Sequence, residues 1–175
     1  MNIKEASARC ACACCSDQGC KLLLKGLQSP YVILNLECLR DAERVGGHVC
    51  DRGVLLGDDK FTIVVIEFKG GQVHDLKLAI EQLQNGLHLL EGLVDKPVQD
   101  VYPILVYRGQ DPTPALVGRK VSFKSFQRSV TPFVCGSNLA NILKNVKSGP
   151  RPSRGRSYRR PKKNEVDPEN QTGGS

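Results

Sequence analysis

Tryptophan is absent and aromatic residues make up only 5% of the 175 residues, so a core must be assembled chiefly from Leu, Val and Ile. That supply suits one compact domain and leaves no room for a second. Near residue 1 there is no apolar run of the roughly 7–15 residues that a secretory signal needs; the longest is Leu22-Leu23-Leu24, between lysines. Nor does any stretch approach the roughly 18 apolar residues of a membrane span. We therefore expect a cytoplasmic protein with no membrane partner. Internal repeats are absent as well.

Histidine is scarce: three residues, His48, His74 and His88, are scattered, and none lies beside the cysteines. Five of the eight cysteines crowd the start as Cys10-x-Cys12-x-Cys14-Cys15-x4-Cys20. A second Cys-x2-Cys to pair with Cys12-x2-Cys15 is missing, so this is not paired zinc-finger spacing. Cys10, Cys12, Cys15 and Cys20 could still offer four thiolates to Zn²⁺ or an iron–sulfur cluster. A reduced, unstructured segment is the simpler reading, and residues 1–26 are expected to form a separate Cys-rich appendage. Cys50 and Cys135 sit in apolar strand candidates, where a free thiol behaves as a small hydrophobe, and no Cys–His–acid set suggests thiol catalysis.

The formal charge of +7 belongs mostly to the end of the chain, since residues 147–175 hold eight Lys/Arg against three Asp/Glu. Rich in Pro, Gly, Arg and Ser and poor in aliphatics, that tail cannot offset its ordering entropy by burial and is expected to be disordered. Arg154, Arg156, Arg159, Arg160, Lys162 and Lys163, with Tyr158 for stacking, suit phosphate contacts to nucleic acid. A solubilising role suits them equally.

Between these ends, residues 27–146 read as an α/β domain. Residues 31–38 (YVILNLEC) fit a strand, although the charged pattern through Glu43 also permits a helix. Residues 48–56 and 61–69 read as two strands of a hairpin joined at Gly57-Asp58-Asp59-Lys60. Val54, Leu56, Val64 and Ile66 lie on one face, Val49, Leu55, Ile63 and Val65 on the other, so the hairpin should be covered on both sides. Apolar residues from Val73 to Val94 recur at intervals of three and four, predicting a helix of about two dozen residues. A strand over residues 101–108, placed at an edge by Pro103, precedes a loop at 110–114. Strands over 119–126 and 130–135 and a short helix from Leu139 to Asn145 complete the pattern.

The hairpin carries the chemistry, in the pattern Asp51-(x15)-Glu67-x-Lys69. Glu67 and Lys69 project on one face of their strand, with the carbonyl of Phe68 between them. A two-residue loop would oppose Asp51 to Ile66 and part the acids. A three- or five-residue loop, or a bulge, restores agreement; in the five-residue case Asp51 sits directly opposite Glu67, within reach of one cation, and this is the geometry class we expect. Mg²⁺ or Mn²⁺ can be held by one or two carboxylates, a backbone carbonyl and waters. A solvated or structural ion pair is the plainer alternative, but acids at the end of so apolar a run need compensation.

This arrangement resembles the PD-(D/E)XK nuclease superfamily, over roughly Tyr31 to Leu143. The resemblance implies a restriction-endonuclease-like fold, a central mixed sheet with flanking helices. It implies metal binding by Asp51, Glu67 and the Phe68 carbonyl, and a catalytic role for Lys69. Cys50-Asp51 stands where Pro-Asp is frequent. Gln82 matches half of an accessory glutamine–tyrosine pair, and Gly86 stands where the tyrosine is missing. An upstream acid of the family is matched by Glu37 or Glu43, with Glu37 preferred. The expected function is metal-dependent hydrolysis of phosphodiester bonds in DNA or RNA, and a homodimer would allow a protein of this size to reach two strands. Two alternatives are a non-catalytic nucleic-acid-binding or regulatory protein that keeps the fold, and a metal-binding protein centred on the cysteines.

Overall fold

A computed structural model describes residues 1–27, 30–57, 59–70, 75–124 and 126–147. The basic tail beyond residue 147, His74 and the start of the expected apolar stripe at Val73 lie outside them.

The chain is α/β, built on a five-stranded mixed sheet. Its elements are α1 (Ile3–Cys10), β1 (Cys15–Asp17), β2 (Cys20–Leu22), β3 (Tyr31–Asn35), α2 (Leu36–Glu43), β4 (Arg52–Leu56), β5 (Phe61–Lys69), α3 (Leu76–Glu91), β6 (Val98–Tyr107), α4 (Thr113–Leu116), β7 (Lys120–Phe123), β8 (Phe126–Ser129), β9 (Thr131–Val134) and α5 (Leu139–Lys147). Sheet order is β3-β4-β5-β6-β9, with β3–β4 and β4–β5 paired antiparallel and β5–β6 and β6–β9 paired parallel. β7 and β8 pair separately.

Both faces of the hairpin β4–β5 are buried, as the double apolar parity requires. Leu55, Ile63 and Val65 pack with α1, α2 and α3 through Ala6, Leu36, Leu39, Leu83, Leu87 and Leu90. Val54, Leu56, Val64, Ile66 and Phe68 pack on the other side with α5 and the β1–β2 hairpin. Stripping solvent from both faces makes the sheet the thermodynamic centre of the molecule.

Several expectations need correction. Residues 1–26 are not a separate appendage: α1 is nucleated by a capping box between Asn2 and Glu5, and Ala6, Cys10, Cys15, Cys20 and Leu22 are buried in the two cores. Residues 31–43 are both a strand and a helix, broken at Asn35, whose side chain caps α2 through the N–H of Cys38. The long helix is 16 residues, beginning only after its N-cap Asp75. Pro103 lies in mid-strand rather than at a strand beginning, but at a local edge as expected, since β9 ladders onto β6 only from Ile104 onward and Pro103 is paired on the β5 side alone. Residues 119–126 hold one strand and the start of another, and α4 occupies part of the expected loop.

Candidate metal centre

The hairpin register decides which side chains meet. Arg52 pairs with Ile66 and Leu56 with Thr62, leaving five residues, 57–61, between the last pair. Extending that register by one residue sets Asp51 opposite Glu67, the expected geometry. Both carboxylates are buried, Asp51 at 8% and Glu67 at 1% exposure.

Each site side chain is held by a neighbouring element. Asp51 accepts the Phe68 N–H at 2.6 Å, continuing the ladder beyond the end of β4 through a side chain. In an extended strand the N–H and C=O of a residue share a side, so the Phe68 carbonyl also faces Asp51. Glu67 pairs with Lys69 at 2.5 Å, and Lys69 Nζ donates to Gln82 Oε1 on α3 at 3.2 Å. Gln82 is fixed in turn by accepting the Cys50 N–H at its carbonyl, 3.0 Å, and by donating to the Val49 carbonyl, 3.5 Å. Asp51, Glu67, Lys69 and Gln82 thus converge where α3 crosses the end of the hairpin.

Burial pushes both acids upward. Glu67 rises to about 7 through desolvation and then the neighbouring Asp51 charge, with Lys69 acting against it. Asp51 rises to about 6, again through desolvation first, while the Phe68 N–H favours its charged form. Cys50, fully buried beside them, is driven up by desolvation and by both carboxylates, which keeps it a neutral thiol.

Among the described residues two buried side-chain atoms lack a hydrogen-bond partner, Arg52 Nε and Glu67 Oε2. An orphaned carboxylate oxygen is costly in a dry interior, and a hard cation relieves that cost. Two carboxylates and a strand carbonyl fit Mg²⁺ or Mn²⁺, the remaining positions falling to water. Among the described residues no group of three or more His, Cys, Asp and Glu side chains gathers to hold a metal.

That excludes the other acids in this geometry. Glu37 is exposed on the first turn of α2, and Glu43 pairs with the N-terminal ammonium at 3.1 Å. It also corrects the thiolate set: Cys10 is disulfide-bonded to Cys38 and Cys20 to Cys135, so Cys10, Cys12, Cys15 and Cys20 do not form a common site. Arg154, Arg156, Arg159, Arg160, Lys162 and Lys163 lie outside the described residues.

The missing tyrosine has a steric cause. A Cβ on Gly86 would strike Cys50 Sγ and lie 3.1 Å from Leu36 Cδ1, so a side chain there requires both neighbours to shift. Cys50 fills the space instead.

Sequence reasoning overlooked the neighbours supplied by the N-terminal segment. Arg52 donates to the Asp51 carbonyl at 2.7 Å and the Ser16 carbonyl at 2.8 Å, and pairs with Asp17 at 3.2 Å. The Gly70 N–H reaches Gln18 Oε1 at 3.2 Å. The only local clue was Gly70-Gly71, a place where another backbone can approach.

Comparison of the chain with family models, curated proteins and solved structures gives no match.

Proposed function

We propose that the protein is a metal-dependent phosphodiesterase acting on DNA or RNA, with the restriction-endonuclease-like version of its α/β fold. The observation that carries this reading is the pairing of Asp51 with the orphaned carboxylate of Glu67, beside an amine held by Gln82.

Asp51, Glu67 and the Phe68 carbonyl are the residues that would hold Mg²⁺ or Mn²⁺. The bound cation supplies Lewis acidity toward a phosphodiester oxygen and a lowered pKa for coordinated water. Lys69, anchored by Gln82 and Glu67, offers an ammonium that orients the attacking water and balances charge developing on the phosphate. Cys50 and Leu36 close the apolar side and strengthen these interactions by excluding solvent.

Gly86 favours a second reading, a non-catalytic nucleic-acid-binding protein with the same fold, since the accessory tyrosine is missing and a side chain there requires Cys50 and Leu36 to shift. The two separate in a cleavage assay on single- and double-stranded DNA and RNA with Mg²⁺ or Mn²⁺. Metal-dependent cleavage lost in Asp51→Ala and Lys69→Ala supports catalysis. Binding without cleavage, unchanged by either substitution, supports the second reading.

The cytoplasmic assignment belongs here as well. No helix among the described residues is long and apolar enough to cross a membrane. The two disulfides point to an oxidising setting, or to thiols that change state.

A further inference from the structure

β5, β6 and β9 are parallel, so their carboxyl ends line up: Lys69 pairs with Tyr107, and Tyr107 with Val134. The next residues along these strands are Gly70, Arg108 and Cys135. Three consecutive residues of the β1–β2 hairpin touch that row in order. Gln18 Oε1 accepts the Gly70 N–H at 3.2 Å, the Gly19 carbonyl accepts from Arg108 Nη2 at 2.7 Å, and Cys20 is disulfide-bonded to Cys135.

The turn is therefore laid across the ends of three strands. Its near end is clamped by Arg52, through Ser16 and Asp17. Gly70 is where the clearance is smallest, since a Cβ there would lie 2.5 Å from the Gln18 carbonyl oxygen. Immediately before Gly70 stand Lys69 and Glu67.

We propose that residues 17–20 form a strap whose grip on the sheet ends, and so on the Lys69–Gly70 segment, is set by the redox state of the Cys20–Cys135 disulfide. Its consequence for catalysis rests on the function proposed above; the strap itself does not. Cys20 is buried at 1% exposure, whereas Cys135 is partly exposed and so is the sulfur open to attack. Arg108 Nη2 lies 3.8 Å from Cys135 Sγ, on the side of the disulfide that faces solvent. With a dithiol reductant, one thiolate attacks Cys135 Sγ, and the bond to Cys20 breaks with Cys20 leaving as a thiolate that takes up a proton. The second thiol of the reductant then displaces Cys135. The products are two cysteines and the oxidised reductant, a two-electron exchange. Without the disulfide the turn keeps the Arg52 clamp on Ser16 and Asp17, the Gly136 N–H on the Lys21 carbonyl, and one hydrogen bond each at Gln18 and Gly19, so the contacts that reduction loosens first are the single bonds of Gln18 and Gly19 to the strand ends.

Hydrogen–deuterium exchange of the full chain, before and after dithiothreitol, tests this. Reduction should accelerate exchange about tenfold or more in residues 15–24 and at Gly70 and Arg108, leaving β4 and α3 protected. Cys20→Ser with Cys135→Ser should reproduce that pattern without reductant, while Cys10→Ser with Cys38→Ser should not. Unchanged exchange on reduction, the same pattern in the Cys10/Cys38 variant, or loss of protection throughout the sheet would overturn the strap. Alkylation of Cys20 and Cys135 in unreduced protein would overturn it too. Cleavage read in the same samples keeps the two ideas apart: no cleavage in either redox state counts against the proposed function and leaves the exchange result standing.

Discussion

At the scale of single residues, Glu67 carries the sharpest expectations. Its carboxyl is raised in the folded state, so the protonated form is the one the fold favours. That contribution is fully present below the unfolded value, about pH 4, and is lost as pH rises through about 7. In metal-free buffer wild type should lose stability relative to Glu67→Gln across this window, by on the order of 2 kcal/mol, in thermal melts taken at stepped pH. A wild-type curve parallel to that of the variant would contradict the upward shift of the buried Glu67 carboxyl. Gln82→Ala should leave the melting temperature nearly unchanged but slow cleavage by about tenfold, the worth of one hydrogen bond to a charged group. Gly86→Ala should destabilise by about 1–3 kcal/mol through overpacking against Cys50. Cys50→Ala should recover part of that loss, as a double-mutant cycle in denaturant would reveal.

At the scale of elements, the hairpin was legible because its information is local. The double apolar parity of β4 and β5 marked both faces as covered, and both are. The loop length itself was not legible, since its turn residues permit a two-, three- or five-residue loop, and only the pairing of Leu56 with Thr62 sets it at five and puts Asp51 opposite Glu67. Gln82 was singled out only through the family resemblance; in the structure its side-chain carbonyl accepts from Lys69 at 3.2 Å. What escaped was non-local. Cys10 finds Cys38 across 28 residues and Cys20 finds Cys135 across 115, pairings that no spacing rule encodes. The burial of Cys15 and Leu22 depends on a face of the sheet that only tertiary assembly creates. Pro103 did mark a local edge, because β9 pairs with β6 only from Ile104 onward, but that β9 covers the rest of the strand was not legible.

At the scale of the whole molecule, the arrangement separates a rigid, dry centre from charged periphery. The sheet interior holds two acids that it can tolerate only if something balances them, and α3, α2 and the hairpin enclose them from one side. The basic residues beyond 147 are the natural source of nonspecific attraction to a polyanion. Deleting residues 148–175 should weaken binding to duplex DNA and flatten the dependence of log Kd on log salt. Cleavage at saturating DNA should be retained, as filter binding and gel assays on the same preparation would show. An unchanged salt slope would remove the tail from substrate capture.

All of this depends on one property, that the facing acids Asp51 and Glu67 hold a cation. Isothermal titration of Mn²⁺ into metal-free protein above pH 7, where both carboxyls are ionised, measures it directly. The expected result is saturable binding at one site in wild type, lost or weakened by about tenfold or more in Glu67→Gln, with the variant still folded by circular dichroism. Equal Mn²⁺ affinity in wild type and variant, or no binding in either, would contradict the account.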